Sequence, residues 1–120
     1  MRHALILEDN MVISRAIQER LTSLGFNSFD HAWTEDQAVE AAKLRSPTLV
    51  VIGDSMGGGF PQSAAERISN ERNAPILMIA ADRCRVRWQL PEGASLSGPF
   101  LLNEIETAVA LACSSAPVPA

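Results

Sequence analysis

The segment Thr48-Leu49-Val50-Val51-Ile52 decides the fold class of this chain. Each of its residues is β-branched or apolar, which is typical of a strand buried on both faces of a parallel sheet. An antiparallel strand with one face in water would instead alternate apolar and polar residues. We therefore expect a parallel sheet that is covered by helices on both sides.

Similar apolar runs lie on either side of this strand in the sequence. Residues 3–7 form a short run that ends at Glu8-Asp9, and residues 75–80 form another. Both are predicted to be buried strands. Weaker patterns predict two more strands, at residues 26–32 and 93–98.

Amphipathic helices are predicted between the strands, because apolar residues recur there at spacings of three and four. The first follows a cap at Asp9 or Asn10 and ends at Gly25, and the second opens on a Thr34/Gln37 capping box. Pro99 is expected to open the last helix. The predicted helices cover residues 12–24, 34–44, 62–72, an ambiguous segment at 83–90, and the chain from 99 onward.

Strands that alternate with helices imply right-handed crossovers. The predicted architecture is a flavodoxin-like (βα)5 doubly wound α/β domain with strand order 2-1-3-4-5. It occupies residues 1–113 as a single domain, and residues 114–120, rich in Ser, Ala and Pro, are predicted to be a disordered tail.

Composition narrows the function classes. The 120 residues carry 14 acids and 10 bases, a net charge of −4, which argues against a nucleic-acid-binding domain. No apolar run approaches the length of a membrane span or a signal-peptide core. Cys84 and Cys113 lie far apart with no CxxC partner, so a reduced, cytoplasmic setting is expected.

In this fold the working crevice lies at the carboxyl ends of the first and third strands. Glu8, Asp9, Gly53 and Asp54 fall there. Carboxylates brought together in this way suit Mg²⁺, which takes hard oxygen ligands, so Glu8 and Asp9 are candidate Mg²⁺ ligands. The alternative is a solvated strand end in which Asp9 only caps a helix.

Residues 3–113 resemble a bacterial response-regulator receiver domain. The resemblance rests on the order and spacing of Glu8-Asp9, the strands at 47–52 and 75–81, Gly93-Ala94, and Pro99-Phe100. It implies that an acidic pair holds Mg²⁺ and that an aspartate at the end of strand three accepts a phosphoryl group. A hydroxyl on strand four and a lysine on strand five would contact that group, and an aromatic residue on strand five would change rotamer.

This chain departs from the family pattern at most of those positions. Gly53 stands at the acceptor position, Ala80 at the hydroxyl position, Gly98 at the lysine position and Ser95 at the switch-aromatic position. The resemblance also implies a cis peptide bond before Pro99. The prediction is therefore a degenerate receiver, not an enzyme, that needs no cofactor and lacks efficient aspartyl phosphorylation.

Two alternatives remain open. Asp54 could serve as a shifted acceptor in a Mg²⁺-dependent phospho-switch, although a one-residue slip along a strand normally turns a side chain to the other face. The missing hydroxyl and lysine would each weaken stabilisation of the transferred charge. In the second alternative, the acidic crevice senses a metal ion or a small molecule.

A candidate interaction face lies on the predicted fourth helix. Arg83, Arg85, Arg87 and Trp88 are of the types enriched at interface hot spots, although a solvated basic face would look the same. The resemblance implies that the fourth helix, fifth strand and fifth helix bind a signalling protein or a histidine kinase, or form a homodimer. No nucleic-acid or membrane partner is expected.

His3 and His31 lack metal-ligand spacing, and Ser14, Ser55 and Ser63 lack a nucleophile-elbow context.

Overall fold

A computed structural model describes residues 2–53, 61–71, 74–80 and 97–114. Within these residues, five strands form one parallel sheet: β1 (His3–Leu7), β2 (Ser28–Ala32), β3 (Leu49–Gly53), β4 (Ile76–Ala80) and β5 (Ser97–Leu101). The strand order is β2-β1-β3-β4-β5, which confirms the predicted order. β1 and β3 are neighbours at the centre, so their carboxyl ends meet at the predicted crevice.

Four helices of the described chain cover the sheet: α1 (Met11–Ser23), α2 (Glu35–Leu44), α3 (Pro61–Glu71) and α4 (Ile105–Ser114). A 3₁₀ turn, Leu102–Glu104, leads into α4. Side chains of each strand alternate between the two faces. Leu5 and Val50 pack toward α2 and α3, whereas Ile6 and Val51 pack toward α1 and α4. No helix among the described residues is long and apolar enough to cross a membrane.

Helix α1 begins and ends on sequence signals that were recognisable in advance. The Asn10 side-chain oxygen accepts hydrogen bonds from the N–H groups of Val12 (2.9 Å) and Ile13 (3.3 Å). Gly25 adopts φ 99°, a conformation that L side chains rarely adopt, and its N–H bonds to Thr22. The Phe26 N–H reaches back to Leu21, which completes a Schellman motif. The Asn10 hydrogen bonds therefore fix the turn between Glu8-Asp9 and α1, and the Gly25 motif fixes the end of the helix.

Removing the cap should destabilise the domain measurably. We expect Asn10→Ala to lower the free energy of unfolding by about 1 kcal/mol, because two helix N–H groups lose their acceptor. Urea denaturation followed by circular dichroism measures the change. Asn10→Asp keeps an acceptor at the same position and is the matched control. Equal losses in both variants would contradict a capping role.

Helix α2 differs slightly from the predicted capping box. The Thr34 hydroxyl accepts from the Gln37 N–H (3.2 Å), as expected. The Gln37 carboxamide oxygen, however, accepts from the N–H of Trp33 (2.8 Å) and thus reaches one residue further back than the standard box.

The carboxyl-terminal part of the fold corrects two predictions. The last strand is Ser97–Leu101, later than predicted, and Pro99 lies inside it instead of opening a helix. An edge strand tolerates proline because it has no neighbouring strand on one side, where a missing backbone N–H breaks no hydrogen bond of the sheet. The register shifts between Leu77 and Ile79, where β5 carries an extra residue. The helical start lies at Leu102, where the Glu104 carboxylate accepts from the Leu101 N–H (2.8 Å).

Smaller differences concern the ends of elements. Gly53 is the last residue of β3, not the first residue of a loop, and α3 begins at Pro61. β2 begins at Ser28 instead of residue 26. Helix α4 includes Ser114, the first residue of the predicted tail. Residues 83–90 and 115–120 lie outside the described residues, so the predictions for the fourth helix and the rest of the tail stay predictions.

Candidate functional site

The described part of the crevice is built by the ends of β1 and β3. Leu7 pairs with Ile52 in the parallel register, which brings the next residues, Glu8 and Gly53, side by side. The Glu8 N–H continues the ladder on the other side by donating to the Ala32 carbonyl (3.1 Å). Backbone pairing on both sides thus fixes the position from which the Glu8 side chain departs.

The Glu8 carboxyl fills the space above Gly53. A Cβ atom placed on Gly53 would lie 2.6 Å from Glu8 Oε1 and 2.7 Å from Oε2, closer than real Cβ contacts. Any side chain at position 53 would therefore displace this carboxyl. The space beside the Gly53 backbone is thus filled by a carboxyl that the neighbouring strand supplies, and position 53 remains the predicted acceptor position.

Glu8 is almost completely buried, with 1% of its surface exposed. Its Oε2 accepts from the Asp9 N–H at 2.9 Å, and the Asn10 backbone N–H also contributes a hydrogen bond. Burial away from water raises the pKa of the Glu8 carboxyl to about 7, with a smaller contribution from the charge of Asp9. The carboxyl therefore changes its charge state near neutral pH.

The other predicted site residues fall into two groups. Asp9 is exposed beside Glu8, Ala80 ends β4 with its methyl group buried, and Gly98 lies in β5. Asp54, the interaction-face residues and the switch-aromatic position lie outside the described residues: Asp54, Arg83, Arg85, Arg87, Trp88 and Ser95. The structure therefore brings Glu8 and Gly53 into contact and leaves the role of Asp54 a prediction.

A metal cluster is not preformed in the described part of the chain. Those residues contain no group of three or more His, Cys, Asp or Glu side chains arranged to hold a metal ion. Glu8 and Asp9 offer carboxylate oxygens of the kind Mg²⁺ prefers. In the conformation observed, however, the Glu8 oxygens face the backbone of Asp9 and Gly53.

A shallow groove runs along α1, beside the crevice. Its volume is about 410 Å³, and its lining includes Met11 and Val12, which are 57% and 79% exposed. Sequence reasoning placed the candidate interaction surface on the basic segment 83–88 and did not single out this groove. In this groove apolar side chains lie beside the charged side chains of Arg15 and Glu19.

Comparison with solved structures shows the class of fold. The chain matches the N-terminal domain of a response regulator/sensory box/GGDEF protein from Carboxydothermus hydrogenoformans (TM-score 0.77, 20% identity, 94% of both chains). It also matches a CheY-like receiver domain from Methylobacillus flagellatus (TM-score 0.71, 18% identity, 92% of this chain and 98% of that one). The fold is that of a response-regulator receiver.

Sequence similarity points the same way. The transcriptional regulatory protein PdtaR of Mycobacterium tuberculosis is 32% identical over 117 residues, which are 94% of this chain and 57% of that protein. The response regulator PhyR from Brucella abortus shares 24% identity and a TM-score of 0.74 over 92% of this chain and 46% of that one. No family model matches. The chain has the fold of a response-regulator receiver domain and is similar in sequence to PdtaR, and it spans about half the length of the curated relatives it matches.

Proposed function

We propose that this receiver domain signals through protein contacts and does not depend on aspartyl phosphorylation. The observation that carries the proposal is the Glu8 carboxyl packed against the bare backbone of Gly53, the residue that the resemblance aligns with the acceptor. Phosphoryl transfer needs a carboxylate nucleophile with groups that stabilise the transferred charge. Gly53 supplies no nucleophile, and Ala80 supplies no hydroxyl.

Glu8 itself is a poor substitute for the missing acceptor. It is buried, and its carboxyl is already engaged by backbone N–H groups. The proposed domain therefore needs no cofactor and performs no catalysis. It works in the cytoplasm by binding a signalling protein or a second copy of itself, and the segment 83–88 together with β5 and α4 forms the proposed contact face.

Treatment with a small phosphodonor tests the proposal. We expect no phosphorylated species in the intact mass spectrum after incubation with acetyl phosphate and Mg²⁺. Asp54→Asn is the matched control, because Asp54 is the one acceptor that the phospho-switch alternative requires. Phosphorylation of the wild type that is lost in Asp54→Asn would overturn the proposal in favour of that alternative.

A Mg²⁺ titration followed by amide NMR distinguishes the metal-sensing alternative from the proposed contact module. Shifts confined to Glu8, Asp9 and their neighbours, with no response to beryllofluoride, would favour a metal-sensing role over a contact module. Unchanged spectra in both titrations agree with the proposal.

Sedimentation velocity of the wild type and of Trp88→Ala then tests whether the contact face joins two copies: a dimer that dissociates on substitution is expected if it does.

A further inference from the structure

A serine, a histidine and a carboxylate are joined in a line across β1 and β2. His3 Nδ1 lies 2.8 Å from the Ser28 hydroxyl oxygen, and His3 Nε2 lies 2.9 Å from Asp30 Oδ2. The register explains the arrangement: His3 pairs with Ser28, and Asp30 follows two residues later on the same face of β2. This array lies at the opposite end of β1 from Glu8.

The chemistry of the partners fixes the tautomer of the neutral imidazole. An ionised carboxylate only accepts hydrogen bonds, so Nε2 must carry the proton that bonds to Asp30. Nδ1 is then unprotonated and accepts the hydroxyl proton of Ser28. The hydroxyl is thereby bonded to a base whose opposite nitrogen is held by a carboxylate. The same order of groups activates a serine nucleophile in a catalytic triad, although the two ring nitrogens are exchanged here.

The array is partly open to solvent. His3 is buried, with 5% of its side chain exposed, but Ser28 is half-buried and 29% of the Asp30 side chain faces solvent. The exposed Arg45 side chain brings Nη1 to 3.5 Å from the Ser28 oxygen. A guanidinium at that distance would stabilise negative charge that develops on an electrophile bound to Ser28.

The chain contains a second serine–histidine pair that lacks these features. Ser14 Oγ lies 2.8 Å from His31 Nδ1, but His31 Nε2 contacts the neutral amide oxygen of Gln18 (2.6 Å). Ser14 is 2% exposed. This pair has no carboxylate hydrogen-bonded to the imidazole, and its serine is buried although His31 is exposed, so it is an internal control for serine–histidine contact alone.

We propose that Ser28 is a nucleophilic modification site for activated acyl or phosphonyl compounds, with His3 as the base and Asp30 as its positioning residue. With an alkyl fluorophosphonate, the Ser28 oxygen forms a bond to phosphorus and the phosphorus–fluorine bond breaks. Fluoride leaves with the bonding electrons, and the hydroxyl proton passes to His3 Nδ1. The product is a phosphonate ester of Ser28, and the proposal is independent of phosphorylation in the crevice.

Fluorophosphonate labelling followed by peptide mass spectrometry tests this assignment. We expect a single labelled serine, Ser28, and no label in Ser28→Ala. His3→Asn keeps a polar group near the position of Nδ1 but cannot take up the proton, so labelling should slow about 10²-fold. Ser14→Ala should label at the wild-type rate.

Substitutions of Asp30 distinguish a residue that positions the His3 imidazole from one that makes only a structural contact. Asp30→Asn offers an amide donor to Nε2, which favours the tautomer whose Nδ1 carries the proton and cannot accept from Ser28. Labelling should then fall about 10²-fold while the circular dichroism spectrum stays native. Asp30→Glu, which retains a carboxylate, should recover measurable labelling. Unlabelled Ser28 in the folded wild type, or equal labelling in Asp30→Asn, would overturn the proposal and leave a polar contact between the strands.

Discussion

At pH 8, the Glu8→Gln variant is expected to be about 3 kcal/mol more stable to unfolding than the wild type. The pKa of Glu8 is about 7 in the folded chain, against 4.5 for an ordinary glutamate. Ionisation of this carboxyl therefore costs folding about 1.4 kcal/mol for each pKa unit of difference. Glutamine has nearly the same shape, stays neutral, and keeps an oxygen that accepts from the Asp9 N–H.

The sign of the pH dependence follows from proton binding. Between pH 4.5 and 7 the folded chain holds a proton on Glu8 that the unfolded chain has lost, so stability falls as the pH rises through this window. Below pH 4.5 both states are protonated, and the advantage of Glu8→Gln should vanish. Because the wild type and Glu8→Gln share all other acidic residues, the difference between their unfolding free energies gives the contribution of Glu8 alone.

Urea denaturation between pH 4 and pH 8 without divalent cations is the measurement. Glu19→Gln, which removes one negative charge from an exposed position on α1, is the matched control and should show no comparable gain. A Glu8→Gln curve parallel to the wild type across the whole range would mean that the Glu8 carboxyl is not buried against Gly53.

Gly53→Ala is expected to destabilise the domain by about 2 kcal/mol at pH 5, because its methyl group would overlap the Glu8 carboxyl. The carboxyl is mostly protonated at that pH and has to leave its buried place. At pH 8 the loss should be smaller, since an ionised carboxylate that moves into water escapes the cost of burial. Gly53→Ala should therefore also abolish the pH dependence that Glu8 confers on the wild type.

A double-mutant cycle tests the contact directly. In a Glu8→Ala background the methyl group meets no carboxyl, so the cost of Gly53→Ala should fall by at least about 1 kcal/mol. Equal costs in both backgrounds would show that position 53 tolerates or resists a side chain for reasons unrelated to Glu8. Urea denaturation of the four proteins at pH 5 provides the cycle.

Much of the architecture followed from local patterns. The apolar runs at residues 3–7, 48–52 and 75–80 predicted the strands β1, β3 and β4, and their alternation with helices predicted the strand order. The prediction failed for β5, where Pro99 suggested a helix start. The signal for the true helical start was Glu104, whose carboxylate accepts from the Leu101 N–H. This start was not recognised because the N-cap residue is a leucine and not one of the usual capping residues.

The sequence by itself determined that position 53 has no acceptor side chain and that an acidic pair follows the first strand. It could not determine where the Glu8 carboxyl lies, because that depends on the register between β1 and β3 and on the empty space that a glycine leaves. The alignment of Ser28, His3 and Asp30 likewise depends on the pairing of β1 with β2. Residues 25 or more positions apart are brought into contact only by the sheet, so no local pattern records their distance.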